Sequence, residues 1–193
     1  MTDQKPERRR RILLAAREVF AKEGFHSAEV KTIATRASVG KATIYKHFDS
    51  KEDLLLAVVQ ADLQAIRDIA LTHLVGAGHP LERFESTCLA IADYLDQNRN
   101  FSKVLISEAG EFMPEIQRLH EDVVSANQAF ADAFFDAMKS EGVLPDIPNQ
   151  ILLNLLMNLT IGTVYSWTLN KEQDLRSQVQ QLFDLWIKGT AKT

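Results

Sequence analysis

Residues 38–40 restrict the fold of this chain more than any other feature, because they form a tight turn between two short helical patterns. The first pattern ends near Ala37, and the second runs from Lys41 to His47. Two short helices joined by a turn that contains glycine make a helix-turn-helix, whose second helix lies in the major groove of DNA. A break follows, and Ser50 then opens a longer helix with a capping-box pattern. The segment therefore predicts a small helical module that binds DNA.

Two lysines stand at unusual positions in this segment. Lys41 and Lys51 each lie in the first turn of a predicted helix, where the helix dipole is already positive and a cation costs about 0.3–1 kcal/mol. Phosphates opposite both helix ends would explain the placement, since helix N-termini and lysines bind the same anions. The alternative is that both lysines are solvated and have no role. Tyr45 stands between lysines on the outer face of the second helix, which favours phosphate contact.

The residues of this segment also match a family pattern. The matching positions are Ile33, Ala34, Ala37, Val39, Lys41, Thr43, Ile44, Tyr45, Phe48, Lys51, Glu52 and Leu54. On these residues, the stretch 8–56 resembles the N-terminal DNA-binding domain of the TetR family of transcriptional regulators. The chain departs from the pattern at Ser38 and Ala42, where the family usually has glycine, and at Gly40, where it usually has serine. A serine in the left-handed turn conformation is expected to cost about 1–2 kcal/mol.

The resemblance implies a set of residues that contact DNA. These are Arg8, Arg9, Lys31, Lys41, Ala42, Thr43, Tyr45, Lys46, His47 and Lys51. We expect the basic run at residues 8–11 to reach the phosphate backbone, with a solvated tail as the alternative. The candidates for contacts with base edges are Thr43, Lys46 and Ala42. Glu29 stands where many members carry a phosphate-binding serine or threonine, so that contact is not expected here.

Charge is distributed unevenly along the 193 residues. Residues 1–51 contain 12 Lys and Arg against 6 Asp and Glu, a net charge of +6, whereas residues 52–193 contain 10 against 20, a net charge of −10. A basic front joined to an acidic body is expected of a DNA-binding module attached to a different kind of domain. Together with the resemblance, this predicts a helix-turn-helix DNA-binding domain at 1–50 and a helical effector-binding and dimerisation domain at 51–193.

The sequence shows no strand pattern, which predicts an all-α fold of about nine helices, three of them in the N-terminal domain. The helix that opens at Ser50 should run to about His73 and form the one rigid connection between the two domains. Later helical patterns cover residues 81–98, 101–109, 114–142, 149–169 and 172–188.

The stretch 107–116 resembles a segment of drug- and fatty-acid-responsive members of the family, although it does not indicate the ligand. We therefore expect a small, largely apolar effector, since ligand pockets are mostly apolar. The candidate lining residues are Ile66, Phe84, Cys88, Phe101, Leu105, Glu108, Phe112, Met113, Phe130 and Phe134. The aromatic and methionine side chains among them could equally form plain core, and Glu108 could face either a cationic ligand or water.

The densest apolar run of the chain lies at residues 149–169. Two asparagines, a threonine and a glycine interrupt it too often for a membrane span, and a helix that is apolar nearly all round is instead buried on two sides. We expect this helix and the amphipathic pattern at 172–188 to form a homodimer interface, and the dimer to bind a palindromic operator. The candidate interface residues are Leu152, Leu156, Leu159, Val179, Leu182, Phe183 and Trp186.

Taken together, the motifs and the resemblance imply a ligand-responsive transcriptional repressor in the cytoplasm, with no membrane partner, catalytic residue or cofactor. A constitutive structural DNA-binding protein without an effector is one alternative. An enzyme is another, although the five histidines show no metal-ligand spacing and no nucleophile motif occurs. A metal site built from His73, His79 and His120 stays open. The single cysteine excludes an internal disulfide and suits a reducing cytoplasm.

Overall fold

The computed structural model describes the backbone of residues 4–108, 112–170 and 174–190, and their side chains except at residues 4, 106–108, 113 and 188–190. These residues form ten helices and no strand, which confirms the all-α class. The helices are α1 (Gln4–Glu23), α2 (Val30–Arg36), α3 (Lys41–Ile44), α4 (Lys51–Leu74), α5 (Pro80–Gln97), α6 (Arg99–Glu108), α7 (Met113–Ala126), α8 (Gln128–Ser140), α9 (Asn149–Leu169) and α10 (Leu175–Thr190).

Local sequence signals explain most helix ends. Gly24 ends α1 with a φ of 81°, and its N–H donates to Phe20 O at 2.9 Å. Pro80 opens α5 at the first helical position, where its missing N–H costs nothing. Gly142 follows α8 with a φ of 74°, a conformation that glycine adopts without strain.

Two helices differ from the sequence prediction. The single helix expected over 114–142 is divided at Asn127, whose side-chain amide donates to Val123 O at 2.7 Å. An asparagine that bonds to the preceding turn competes with the helical hydrogen bonds. The helix expected from Lys41 to His47 is regular only to Ile44, because the next turn tightens and His47 N donates to Ile44 O at 2.8 Å.

The described residues pack into two compact units. The first is drawn from Met1–Gln64 and Arg99–His120, and the second from Ala65–Asn98 and Glu121–Thr193. Helix α4 supplies its first part to one unit and its last part to the other. These units describe packing, and the functional boundary between residues 50 and 51 stays a prediction.

The core of the first unit joins the three N-terminal helices to the start of α4. Its fully buried side chains include Ile12, Phe20, Ile33, Ile44, Leu54 and Leu55. Phe101 and Val104 of α6 are buried in the same core, and Ile116 and Leu119 of α7 pack against it. Two ion pairs hold α1 to its neighbours, Arg17 with Asp62 of α4 and Glu18 with Arg36 of α2.

An aromatic cluster forms the core of the second unit. The ring of Phe84 on α5 lies 5.5 Å from Trp186, 5.7 Å from Phe183 and 5.9 Å from Phe134, measured between centroids. A second cluster beside it contains Trp167 of α9, together with Leu175 and Val179 of α10. Helices α5, α9 and α10 therefore contribute to both clusters, and α8 contributes to the aromatic one.

Helix α9 is the one helix in the described part of the chain that is long and apolar enough to cross a membrane. That statement concerns length and composition only, and a single such helix is weak evidence of a membrane protein. Only 17% of its apolar window is buried. The expected burial of α9 on two sides is therefore not complete within this one chain.

Candidate nucleic-acid interface

The turn between α2 and α3 closes with the geometry of a Schellman motif. Ser38 has a φ of 54°, Val39 N donates to Ala34 O at 3.0 Å, and Ser38 N donates to Thr35 O at 3.1 Å. The left-handed turn expected at Ser38 is confirmed. Serine thus occupies the position at which glycine is normally preferred, and the turn carries the strain of that substitution.

Helix α3 presents a polar outer face beyond this turn. Ile44 and Phe48 point inward and are buried, as the pattern predicts. The side chains of the outer face are Lys41, Ala42, Tyr45 and Lys46, which are exposed, with Thr43 and His47 half-buried at its edges. The ammonium of Lys41 lies 5.8 Å from the centroid of the Tyr45 ring. This face brings together six of the ten residues that the sequence assigns to DNA contact.

The basic run of α1 lies beside the end of α3. The guanidinium carbon of Arg9 is 5.4 Å from the centroid of the Phe48 ring. Burial first, and then the charges of Lys5, Arg8 and Arg9, lower the pKa of His47 from its ordinary value. The α1 run and the α3 face therefore form one patch of positive charge, which we call the basic patch. It contains eight of the ten assigned residues, Arg8 and Arg9 as well as the six of the outer face of residues 41–47.

The ammonium of Lys51 is bonded to backbone carbonyls of the protein itself. Its ammonium donates to the carbonyl oxygens of Phe25 at 2.9 Å, His26 at 3.1 Å and Ala28 at 3.3 Å. It also lies 4.6 Å from the centroid of the Phe25 ring. An ammonium has three N–H donors, so all three are used within the protein. Lys51 thus holds the turn between α1 and α2, and the phosphate contact expected of it stays a prediction.

Lys31 is exposed on α2 beside a groove of about 540 Å³. The groove is lined by Glu29, Lys31, Thr32, Thr35 and Arg36. Arg36 is paired with Glu18, and the hydroxyl of Thr35 donates to Lys31 O at 3.0 Å. Lys31 is the second cation of this groove, and its predicted phosphate contact is compatible with its exposure.

The ten candidate effector residues are divided between the two units. Phe101, Leu105 and Phe112 belong to the core of the first unit, whereas Phe84, Phe134 and Cys88 belong to that of the second. Two others in the second unit, Ile66 and Phe130, are half-buried. The side chains of Glu108 and Met113 lie outside the described residues. The predicted pocket stays a prediction.

A polar cavity of about 340 Å³ in the second unit was not expected from the sequence. It is lined by His73, Glu82, Glu85, Ser86, Leu89, Ala90, Asp93 and Arg176. His73 Nδ1 is 2.9 Å from Ser86 Oγ, Arg176 donates to Asp93, and Gln180 donates to Glu85. Most of its polar groups thus have partners within the protein. No spacing in the sequence brings α5 and α10 together, so no local signal could have found it.

The histidines and the cysteine do not form a reactive site in the described part of the chain. No group of three His, Cys, Asp or Glu side chains there could hold a metal ion. His79 instead caps α5, accepting from Leu81 N at 3.2 Å, and contacts Glu141 at 3.3 Å. Burial, with a smaller contribution from Glu85, raises the pKa of the Cys88 thiol to about 12. Cys88 is therefore a protonated core residue at neutral pH.

The predicted dimer residues are mostly internal to the protomer. Leu152, Val179, Phe183 and Trp186 are buried within the second unit, and Leu156 and Leu182 are half-buried. Of the seven, only Leu159 is exposed. The exposed apolar side chains of the same two helices are Ile151, Leu155, Leu159, Ile161, Tyr165 and Leu169 on α9 and Leu185 on α10. The helices can still form an interface, but through this other face.

Comparison with known proteins gives concordant results. The family described as bacterial regulatory proteins, tetR family, matches residues 12–58. An HTH-type transcriptional regulator of Staphylococcus aureus (strain USA300) is 30% identical over 137 residues, which are 70% of this chain and 69% of the relative. The HTH-type transcriptional activator FasR of Mycolicibacterium smegmatis is 27% identical over 164 residues, 85% of this chain and 74% of the relative.

Solved structures share the fold over nearly the whole chain. The fatty acid degradation regulator FadR of Bacillus halodurans has a TM-score of 0.79 at 22% identity, over 93% of this chain and 98% of that one. FadR of Bacillus subtilis, solved with stearoyl-CoA, has a TM-score of 0.79 at 20% identity, with the same coverage. At this identity the likeness concerns the fold alone.

Proposed function

Because this chain belongs to the TetR family of bacterial regulatory proteins, we propose that it binds a palindromic operator as a homodimer and is released by a small, largely apolar effector. The chain is a helix-turn-helix transcriptional regulator. Repression, the dimer and the effector are parts of the proposal. A cytoplasmic location and the absence of catalysis belong to it as well, because the relatives are regulators of transcription.

The basic patch carries the DNA-binding part of the proposal. Lys41 opens α3 and Tyr45 directly follows it, beside the run of cations on α1. Contacts from such side chains to phosphates fix the position of a protein on the duplex, whereas contacts to base edges fix the sequence. Thr43, Lys46 and Ala42 are the residues we assign to base edges.

The exposed face of α9 carries the dimer part of the proposal. Its exposed apolar residues include Ile151, Leu155, Tyr165 and Leu169, which recur at helical spacing along one side. Single exposed apolar side chains are ordinary, but a continuous stripe of them marks an interaction surface. A second copy is the partner that would give two recognition helices related by a two-fold axis.

The effector is the least defined part of the proposal. FadR of Bacillus subtilis, which shares this fold, was solved with stearoyl-CoA. The second unit offers an interior rich in phenylalanine and tryptophan, the lining that an acyl chain would need. We therefore propose long-chain acyl-CoA as the first effector class to test.

Selection of bound fragments from random duplex DNA tests the DNA-binding function. We expect enrichment of a palindrome whose half-site centres lie about one helical turn apart, or a multiple of it. Lys41→Ala should weaken binding to every sequence and lower the salt slope by about one unit per half-site. Altered base preference with an unchanged salt slope would contradict the phosphate assignment. Lys139→Ala, on α8 and outside the basic patch, is the matched control.

A release experiment with the same operator distinguishes a ligand-responsive regulator from a constitutive structural DNA-binding protein. Titration of the protein–operator complex with stearoyl-CoA and a panel of apolar small molecules should release the DNA with at least one compound. Retention of the operator at saturating concentrations of every compound that binds the protein would favour the structural alternative. An enzyme would instead convert one of these compounds, which chromatography of the mixtures would detect.

A further inference from the structure

His47 lies where the basic run of α1 meets the end of α3. Its backbone N–H donates to Ile44 O at 2.8 Å, and its half-buried ring lies 6.2 Å from the Phe48 ring, measured between centroids. The guanidinium of Arg9 lies over the same Phe48 ring at 5.4 Å. The imidazole is thus a titratable group within the basic patch, close to the place where a DNA phosphate would lie.

The groups of α1 that lower the pKa of this imidazole are cations. They are Lys5, Arg8 and Arg9, and Lys46 adjoins His47 in the chain. Burial of the ring, and then repulsion from the α1 cations, lower the pKa of His47 below its ordinary value of 6.5. At neutral pH the imidazole of the free protein is therefore mostly uncharged.

The neighbouring carboxylates are engaged with the backbone rather than with the ring. Asp53 accepts the N–H of Asp49 at 3.0 Å. Glu52 is held by its own backbone N–H and by the Ser50 hydroxyl, which lower its pKa. Both carboxylates thus have partners at the start of α4. A bound anion would be a further source of negative charge to compensate a protonated His47.

We propose that His47 takes up a proton when the protein binds DNA, so that this one imidazole makes operator affinity depend on pH. The inference rests on the proposed DNA interface, because a phosphate placed on the basic patch brings negative charge to a ring whose pKa the cations of α1 lower. An opposite charge within a few ångströms favours the charged form of a titratable group. The imidazolium also gains a second N–H donor, which a phosphate oxygen can accept.

The direction of the pH effect follows from the two states. The pKa of His47 is below 6.5 in the free protein, and the phosphate raises it in the complex. Binding therefore takes up protons between these two pKa values, and affinity increases as the pH falls through this window. Above the higher pKa and below the lower one, affinity no longer depends on this group. A difference of one pKa unit gives about a tenfold gain in affinity per protomer.

Two measurements on the 193-residue protein test whether His47 takes up a proton on DNA binding. The dissociation constant for the duplex recovered by selection is measured by fluorescence anisotropy at constant ionic strength, from about pH 5.5 to about pH 8. Wild type is compared with His47→Gln, which keeps a neutral hydrogen-bonding side chain, and with His120→Gln as the matched control on α7. The pKa of His47 in the wild-type protein is also measured by NMR of the imidazole protons, with and without the duplex.

The expected result is about a tenfold or larger gain per protomer on acidification, lost in His47→Gln and retained in His120→Gln, with a higher His47 pKa in the complex. A pH dependence that His47→Gln leaves unchanged would overturn the inference while leaving the proposed function intact. So would a His47 pKa that does not rise on DNA binding, a measurement that does not depend on the folding of any variant. Absence of binding to any duplex at every pH would refute the proposed function and this inference with it.

Discussion

Ser38 holds the turn between α2 and α3 with a φ of 54°, a region that glycine enters freely and serine does not. We expect Ser38→Gly to stabilise the protein by about 0.5–1 kcal/mol, because relief of about 1–2 kcal/mol of strain is partly offset by the greater flexibility of glycine in the unfolded chain. Urea denaturation measures this change. Ser27→Gly is the control, since Ser27 does not have a positive φ, and it should give no gain. A loss of stability in Ser38→Gly would mean that the turn is not strained.

Lys51 is the residue at which structure and family resemblance suggest different roles. If its ammonium holds the three carbonyls of the α1–α2 turn, Lys51→Met should cost about 1–2 kcal/mol of stability, since hydrogen bonds to a charged donor are stronger than neutral ones. The salt slope of DNA binding should stay that of the wild type. Parallel urea and gel-shift measurements check both parts. A salt slope lower by about one unit per half-site would instead restore the phosphate contact.

Ser38 and Lys51 also show which local features the sequence can predict and which contacts it cannot. The left-handed turn at Ser38 was predictable because the geometry of a turn depends on residues that adjoin in the chain. The partners of Lys51 were not, because they lie 23 to 26 residues away along the chain. Periodicity carries no information about a contact of that kind.

At the scale of the helices, the dimer proposal depends on which side of α9 is free. Tyr165 is 53% exposed, whereas Trp186 of α10 is only 3% exposed. Tyr165→Glu should therefore give folded monomers, because an unpaired carboxylate cannot be buried in an apolar interface without a large penalty. Analytical ultracentrifugation with circular dichroism measures both assembly and folding. Leu14→Glu, on an exposed position of α1, should leave the dimer intact.

Trp186→Glu should behave differently from Tyr165→Glu. Its side chain packs 5.5 Å from the Phe84 ring, between centroids, in the core of the second unit. A carboxylate there should cost several kcal/mol and abolish cooperative folding, rather than separate two folded subunits. If Trp186→Glu gave a folded monomer and Tyr165→Glu a normal dimer, the interface would instead be formed by the residues expected from the sequence.

The sequence pattern predicted where α9 and α10 lie in the chain, but not which face of each helix packs within the protomer. In α9 the apolar residues surround the helix, so periodicity cannot distinguish the side that packs on the protomer from the side that remains free. Helix α10 has a single apolar stripe, and this stripe packs into the core of its own protomer. An amphipathic pattern shows that a face is buried, but it does not identify the partner.

At the scale of the whole molecule, α4 is the element that takes part in both compact units. Within the first unit, Asp62 of α4 is paired with Arg17 of α1. Within the second, Arg83 of α5 donates to Leu74 O at the end of α4, at 2.9 Å. The middle and the C-terminal end of this helix are thus held by specific side chains. The expectation that one long helix connects DNA binding to effector binding agrees with this arrangement and stays a proposal.

The last prediction concerns the coupling that this helix would carry. If an effector in the second unit changes the position of α4, the two recognition helices of a dimer lose the separation that the operator requires. A coupling of 1–3 kcal/mol corresponds to about 5–150-fold in operator affinity, which is enough to release a repressor. Because coupling between two binding equilibria is reciprocal, operator DNA must weaken effector binding by the same factor.

Calorimetry measures this reciprocity directly. Once a compound that releases the operator is found, its dissociation constant is determined with the free protein, with the operator complex and with a scrambled duplex of equal length. We expect about a 5–150-fold loss of affinity with the operator, equal to the factor by which the compound weakens DNA binding, and a much smaller loss with the scrambled duplex. Asp62→Asn removes the ionic contact of α4 with α1, so this variant should bind the compound normally but show weaker coupling. Equal affinity in all three titrations would mean that release does not act through the protein's conformation, because a ligand without differential affinity shifts no equilibrium.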